Sequence, residues 1–100
     1  MSRKLPAIFS EFKTEKVKFG EVIKCAKYKH GVCYPPIEAI GKELLCNYST
    51  DGVEFYRDLE PLICSETDQR YGIRINIEYM RYLKITTTEN LINYSLRLFN

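Results

Sequence analysis

The stretch from Tyr71 to Thr88, YGIRINIEYMRYLKITTT, decides the fold because its apolar side chains recur at every second residue. The apolar positions are Ile73, Ile75, Ile77, Tyr79, Leu83 and Ile85, with Arg81 as the one exception. A period of two is typical of a β-strand with one buried face, since an amphipathic helix repeats its apolar positions every three or four residues. The stretch therefore predicts a strand whose isoleucines face the core.

The opposite side of the same stretch is polar and is the predicted working surface. Its residues are Arg74, Asn76, Glu78, Met80, Tyr82, Lys84 and Thr86. If straight, the whole stretch would span roughly 55–60 Å, which exceeds the usual length of a strand. We therefore expect the strand to bend near Met80 and Arg81, where the apolar alternation fails.

Length and composition indicate one globular domain over residues 1–100. The chain is 45% hydrophobic, with four prolines and five glycines, which is ordinary globular composition. Chains this short bury only roughly 60–70% of the surface of their unfolded state, so we expect self-association, with a homodimer as the default. There is no apolar run of the roughly 20 residues that a membrane span needs and no signal-peptide core. These features predict an intracellular, cytoplasmic protein without membrane contact.

Charge is distributed unevenly along the chain although the net charge is only +2. Residues 1–34 hold eight Lys and Arg against three acids, residues 35–69 hold two against eight, and residues 70–100 hold five against two. If these blocks fold to different places, the domain presents fields of opposite sign that steer charged partners. If the acidic middle strands pair beside the basic ends, the fields cancel instead.

The first half of the chain predicts short helices and one bent strand. Leu5–Phe12 predicts one or two helical turns, because Pro6 can begin a helix. Lys16–Lys29 alternates like a strand, and Gly20 interrupts it as a bulge would. A short helix is predicted over Ile37–Ile40, ended by Gly41.

The centre of the chain predicts a hairpin. Leu44–Tyr48 and Val53–Leu59 flank Asp51-Gly52, and Asp-Gly supplies the two positive-φ residues of a type I′ turn. That turn would pair three sets of residues across the strands: Thr50 with Val53, Tyr48 with Phe55, and Leu44 with Leu59. After a short strand at Leu62-Ile63-Cys64, residues 66–69 are predicted to turn the chain into the long strand.

The tail, Leu91–Phe99, fits two structures. Ile92, Tyr94, Leu96 and Leu98 alternate like a strand, whereas Thr86-Thr87-Thr88-Glu89 matches a capping box that would begin a helix. We favour a final strand that forms a hairpin with the long strand through Glu89 and Asn90. The predicted fold class is therefore mainly β, as a small antiparallel sheet or partly open barrel with one or two short helices.

The chemistry-bearing residues point away from an enzyme, a metal centre or a cofactor. The spacing of Cys25, His30, Cys33 and Cys46 lacks the close CxxC-type pairs of structural zinc sites. The four cysteines, which include Cys64, are expected to be reduced, buried thiols. The chain has one histidine, no nucleophile elbow and no phosphate-binding glycine loop. We predict no catalytic residues, no bound metal and no cofactor.

Interleaved cations and aromatic rings on a curved sheet are what single-stranded nucleic acid requires, since phosphates need positive charge and bases need flat rings to stack upon. The predicted nucleic-acid-binding residues are Lys24, Lys27, Tyr28, Lys29, Arg74, Tyr82 and Lys84. Small oligonucleotide-binding barrels are built from bent, bulged strands of this kind, although the element order predicted here differs from theirs.

The alternative function is a protein-interaction or self-assembly module. In it the basic ends meet the acidic middle of a neighbouring copy, and the exposed edges of the long strand and of Leu91–Phe99 pair with it. A composition rich in Lys, Ile, Asn and Tyr without Trp indicates an AT-rich coding source, such as a virus or phage.

Overall fold

The structure, a computed structural model, describes the backbone of residues 13–100 and the side chains from Lys16 onward. The prediction of a mainly β fold with short helices is confirmed. The predicted helical turns at Leu5–Phe12 lie outside the described residues. The strands are β1 (Lys13–Lys18), β2 (Val22–Lys24), β3 (His30–Tyr34), β4 (Glu43–Ser49), β5 (Tyr56–Arg57), β6 (Leu62–Ile63), β7 (Ile73–Asn76), β8 (Tyr82–Thr86) and β9 (Asn93–Phe99). One 3-10 turn covers Ile37–Ala39, and helix α1 covers Glu66–Tyr71.

The strands form two antiparallel sheets and, within residues 13–100, no closed barrel. Sheet A has the order β1-β9-β3-β7, and sheet B has the order β2-β8-β4-β5, with β6 pairing the other end of β4. Both sheets contribute apolar side chains to one buried cluster, for example Leu96 from sheet A and Leu83 from sheet B. No helix in this part of the chain is long and apolar enough to span a membrane.

The long alternating stretch bends where its pattern fails, as predicted. Residues 77–81 form a turn in which the Met80 N–H donates to the Ile77 carbonyl, so the stretch divides into β7 and β8. Tyr79 has a φ of 72° and is 88% exposed, so its predicted place on the apolar face is wrong. Because β7 joins sheet A and β8 joins sheet B, the two halves of the predicted polar face belong to different sheets.

The predicted strand Lys16–Lys29 is likewise divided at its glycine. β1 and β2 are separated by a turn in which Gly20, at a φ of 91°, donates its N–H to the Ile85 carbonyl. Positive φ suits glycine because a side chain there crowds the backbone. The chain thus passes from sheet A to sheet B at Gly20, as it does again after β7.

The predicted central hairpin is present, but its register is wrong, by one residue at β5 and by three residues at β6. Tyr48 pairs with Tyr56 rather than Phe55, and Leu44 pairs with Leu62 of β6 rather than with the fully exposed Leu59. Side chains in the turn accept hydrogen bonds from backbone N–H groups, so these groups do not pair across the hairpin. Ser49 Oγ accepts from the N–H groups of residues 51 and 52, and Asp51 Oδ1 accepts from those of residues 53 and 54.

The tail is the strand we favoured, β9, but its predicted hairpin with the long strand is wrong. β9 pairs with β1 on one side and β3 on the other. Its predicted exposed edge is therefore also wrong, since β9 lies inside sheet A. Burial of Tyr94, Leu96 and Leu98 is greater in the middle of a sheet than at an edge, which favours this position.

Asn47 is a buried polar residue, 6% exposed, that links the strands of sheet B. Its side-chain amide donates to the carbonyls of Leu45 and Lys84 and to Thr86 Oγ1, and its oxygen accepts from Arg57 Nε at 3.3 Å. We expect Asn47→Ala to lower the free energy of unfolding by about 1–3 kcal/mol, because buried backbone acceptors lose their donor. Urea denaturation measures this loss in the free energy of unfolding. Arg57→Ala, which removes only the 3.3 Å bond at an exposed position, is the control and should cost less than half as much.

All four cysteines are buried free thiols. Burial raises the pKa of both Cys25 and Cys46 from 9.0 to about 11, and it raises the pKa of Cys33 and Cys64 as well. These thiols therefore remain protonated in the folded chain at neutral pH and behave as small apolar side chains.

The raised thiol pKa values predict that the fold loses stability in alkali. Below pH 9 both folded and unfolded thiols are protonated, so stability is fully present; between pH 9 and about 11 only the unfolded chain releases protons. Each such thiol lowers the free energy of unfolding by on the order of 1.4 kcal/mol per pH unit across this window. Urea midpoints measured across the window check the slope, and Cys25→Ala should make it shallower. An unchanged midpoint would contradict this account.

Candidate nucleic-acid interface

The structure distributes the seven predicted binding residues over three places. Lys24, Tyr82 and Lys84 lie on sheet B, and Arg74 lies on sheet A. Lys27, Tyr28 and Lys29 lie between β2 and β3. The exposed Lys27 and Lys29 are at a turn, whereas Tyr28 is partly buried against the core. The seven residues therefore do not form one continuous strand face.

The sheet B residues are close to one another but lie against a loop. Lys24 is the cross-strand partner of Tyr82. A Cβ atom on Gly52 would lie 3.1 Å from the Tyr82 ring, so the loop between β4 and β5 reaches that ring at Gly52. Lys84 Nζ lies 4.4 Å from the centre of the Phe55 ring, a cation–π distance. These contacts occupy part of the cationic and aromatic surface that bases and phosphates would need.

The same loop adds negative charge to the outward side of sheet B. Hydrogen bonds from the backbone N–H groups of Val53 and Glu54 lower the pKa of Asp51, because they stabilise its carboxylate. Glu43, on β4, is also exposed. Sheet B therefore mixes both charge signs and is a poor surface for a polyanion.

Sheet A collects the basic segments of the chain. Its four strands come only from residues 1–34 and 70–100, the two blocks with charge balances of +5 and +3. The acidic middle block supplies β4, β5 and β6, all in sheet B. In sheet B, β2 from the first basic block and β8 from the last lie in one sheet with these acidic strands. The cancellation of opposite charges that the sequence allowed therefore applies to sheet B alone.

We call the outward side of sheet A the basic face. Its residues alternate along each strand with buried residues of the same strand, such as Val17, Cys33 and Leu96. Its cations are Lys16, Lys18, Arg74 and Arg97, and none of its described side chains is a carboxylate. Its other residues are His30, Val32, Tyr34, Asn76, Asn93, Ser95 and Phe99. Cross-strand register places Arg74, Val32 and Arg97 in one row.

Aromatic rings lie among these cations. The Phe99 ring centre is 5.4 Å from that of His30, its partner on β3, and 5.7 Å from Arg97 Cζ. The backbone N–H of Lys29 donates to the Phe99 carbonyl, so this predicted lysine adjoins the end of the basic face. Rings next to cations on a sheet are the arrangement that stacks bases and holds phosphates.

Sequence reasoning found Arg74 and missed most of the basic face. The missed members include Lys16, Lys18, His30, Tyr34, Arg97 and Phe99. A pattern was available: alternation of Ile92, Tyr94, Leu96 and Leu98 in the tail leaves Arg97 and Phe99 on the opposite side. Which strands lie next to that tail could not be read from alternation alone.

A cleft of about 360 Å³ lies beside the free edge of β7. Arg74, Ile75 and Asn76 line one side, and Tyr48 and Asp58 are among the residues of the other. Tyr48 donates a hydrogen bond from its hydroxyl to Asp58 at 3.2 Å, and burial raises the Tyr48 pKa. The cleft therefore brings one carboxylate to the rim of the basic face.

Among the described residues, no group of three or more His, Cys, Asp or Glu side chains could hold a metal ion. Comparison of the chain with protein-family models, with curated proteins and with solved structures finds no match.

Proposed function

We propose that this chain is a non-enzymatic domain that binds single-stranded nucleic acid through the basic face. The observation that carries the proposal is the composition of sheet A: its strands come only from the two basic blocks, and its described outward side chains include four cations and no carboxylate. Such a surface attracts phosphates, and its rings offer bases a place to stack.

The binding is mainly electrostatic and therefore depends on salt. If the four cations of the basic face each neutralise one phosphate, the logarithm of affinity falls against the logarithm of salt concentration with a slope of roughly −3 for a single strand. A fourfold rise in salt then lowers affinity roughly 50-fold. Oligonucleotide titrations at two salt concentrations measure this slope. A flat titration at low salt would overturn the proposal.

The second candidate function is self-assembly, and the edge of β7 favours it. β7 pairs with β3 on one side, and no other strand within residues 13–100 pairs with it on the other. An open edge can accept a strand from a second copy. Two exposed apolar side chains on sheet B, Tyr56 and Ile63, are 66% and 62% exposed. A mass that rises with concentration in light scattering, without oligonucleotide binding, would support self-assembly instead.

A further inference from the structure

A cleft of about 290 Å³ opens on the basic face between sheet A and helix α1. We call it the Tyr34 cleft. Ser95 on the central strand β9 is the cross-strand partner of both Lys16 on β1 and Tyr34 on β3, so these three side chains meet there. Gln69 reaches the cleft from α1, and Asn93 lies two residues before Ser95 on the same strand.

Two local features hold the walls of this cleft. The Gly72 backbone that follows α1 lies against Val32 and the Tyr34 ring, where an added Cβ would be 2.8 Å from Tyr34 Cε1. The start of α1 is fixed by a capping box in which Ser65 and Asp68 exchange side-chain to backbone hydrogen bonds. The Tyr34 ring is therefore held by packing against Gly72, and capping holds the start of the helix that carries Gln69.

The polar groups of the cleft are available to a ligand. Among the residues that the structure describes, no side-chain hydrogen bond involves Lys16, Tyr34, Gln69, Asn93 or Ser95. The two amides offer both donors and acceptors, the two hydroxyls can do either, and Tyr34 adds a flat ring. None of the described residues that line the cleft is a carboxylate.

We infer that the Tyr34 cleft binds one nucleobase of a strand lying on the basic face. Amides beside an aromatic ring suit a neutral, planar ligand with donors and acceptors on its edge, as a base has. The volume is at the lower limit of small-molecule sites, which fits a single base. Lys16 at the cleft would contact the adjoining phosphate. The inference rests on the proposed function and adds base preference to it.

The test compares homopolymer oligonucleotides of one length, about eight nucleotides, on the full chain at one salt concentration. Both DNA and RNA strands are used, because each presents the same base edges. We expect affinities for the best and worst base to differ about tenfold, the scale of one good side-chain to base contact. In Gln69→Ala combined with Asn93→Ala, the difference should fall below about twofold while the salt slope stays unchanged.

Asn76→Ala is the matched control, since it removes an amide from the basic face outside the cleft, and it should keep the tenfold preference. Urea denaturation of each variant establishes that it is folded. Equal binding of all bases by the unaltered chain would overturn the inference that the Tyr34 cleft binds a base, and so would an unchanged preference in the double variant. Either result would leave the proposed function intact. If no oligonucleotide binds, the proposed function fails and this inference fails with it.

Discussion

Reversing the charges of Lys16 and Arg74 together should weaken oligonucleotide binding about 100-fold at low salt. The two residues are exposed and stand on β1 and β7, the opposite edge strands of sheet A, whose axes are about 14 Å apart by strand spacing. Each phosphate contact that is lost removes roughly an order of magnitude of electrostatic affinity, and a carboxylate in its place also repels the strand. The salt slope should fall from roughly −3 to roughly −1.4.

Lys24→Glu combined with Lys84→Glu is the matched control for this prediction. It makes the same change in net charge on sheet B, at two residues that the sequence also predicted to bind nucleic acid. We expect it to weaken binding only a few-fold, through the long-range field. Filter binding or fluorescence anisotropy at two salt concentrations measures both pairs, with circular dichroism to establish folding. A large loss in the sheet B pair and none in the sheet A pair would place binding on the other side of the molecule.

The second large effect is expected from Gly72→Ala, which should lower the free energy of unfolding by about 3–5 kcal/mol. Gly72 has a φ of 89° and a ψ of 161°, a conformation almost confined to glycine, which costs another residue roughly 1–3 kcal/mol. A methyl group there would also overlap Val32 and the Tyr34 ring. Forcing such an overlap costs about another 1–3 kcal/mol.

Gly20→Ala separates these two contributions. Gly20 has a similar φ of 91°, but an added Cβ would meet nothing within 4 Å. It should therefore lose only the backbone part, about 1–3 kcal/mol. Urea or thermal unfolding compares the two variants. Equal losses would mean that the chain after α1 does not pack against β3, and the walls of the Tyr34 cleft would lose their support.

Local pattern predicted much of the secondary structure. The alternation from Ile73 to Ile85 indicated extended chain, and the failure of that alternation near Arg81 indicated the bend. Gly20 indicated an irregularity in the first strand, but the bulge predicted there is a turn that separates β1 from β2. The strand in the tail also followed from alternation. These features succeed because the backbone of a strand forces successive side chains to opposite sides, whatever its neighbours are.

Register was less predictable, as the central hairpin shows. Asp51-Gly52 favoured a two-residue turn, but the side chains of Ser49 and Asp51 take the N–H groups of residues 51–54 and lengthen the loop. A shift of one residue exchanges the two faces of a strand. The shift is one residue at β5 and three residues at β6, where Leu62 lies opposite Leu44 and Leu59 is exposed. The predicted turn over residues 66–69 is wrong, because these residues belong to helix α1. The helix was missed because its capping box uses Asp68 instead of the usual Glu or Gln.

By itself the sequence determined which side of each strand is apolar, where the chain must bend, and that its cations are concentrated toward both ends. Only the tertiary structure decided that β1, β9, β3 and β7 become neighbours, which assembles Lys16, Arg74 and Arg97 on one sheet and leaves the acidic strands on the other. The physical reason is that alternation is a property of one strand, whereas strand order is chosen by burial and pairing between segments far apart in the chain.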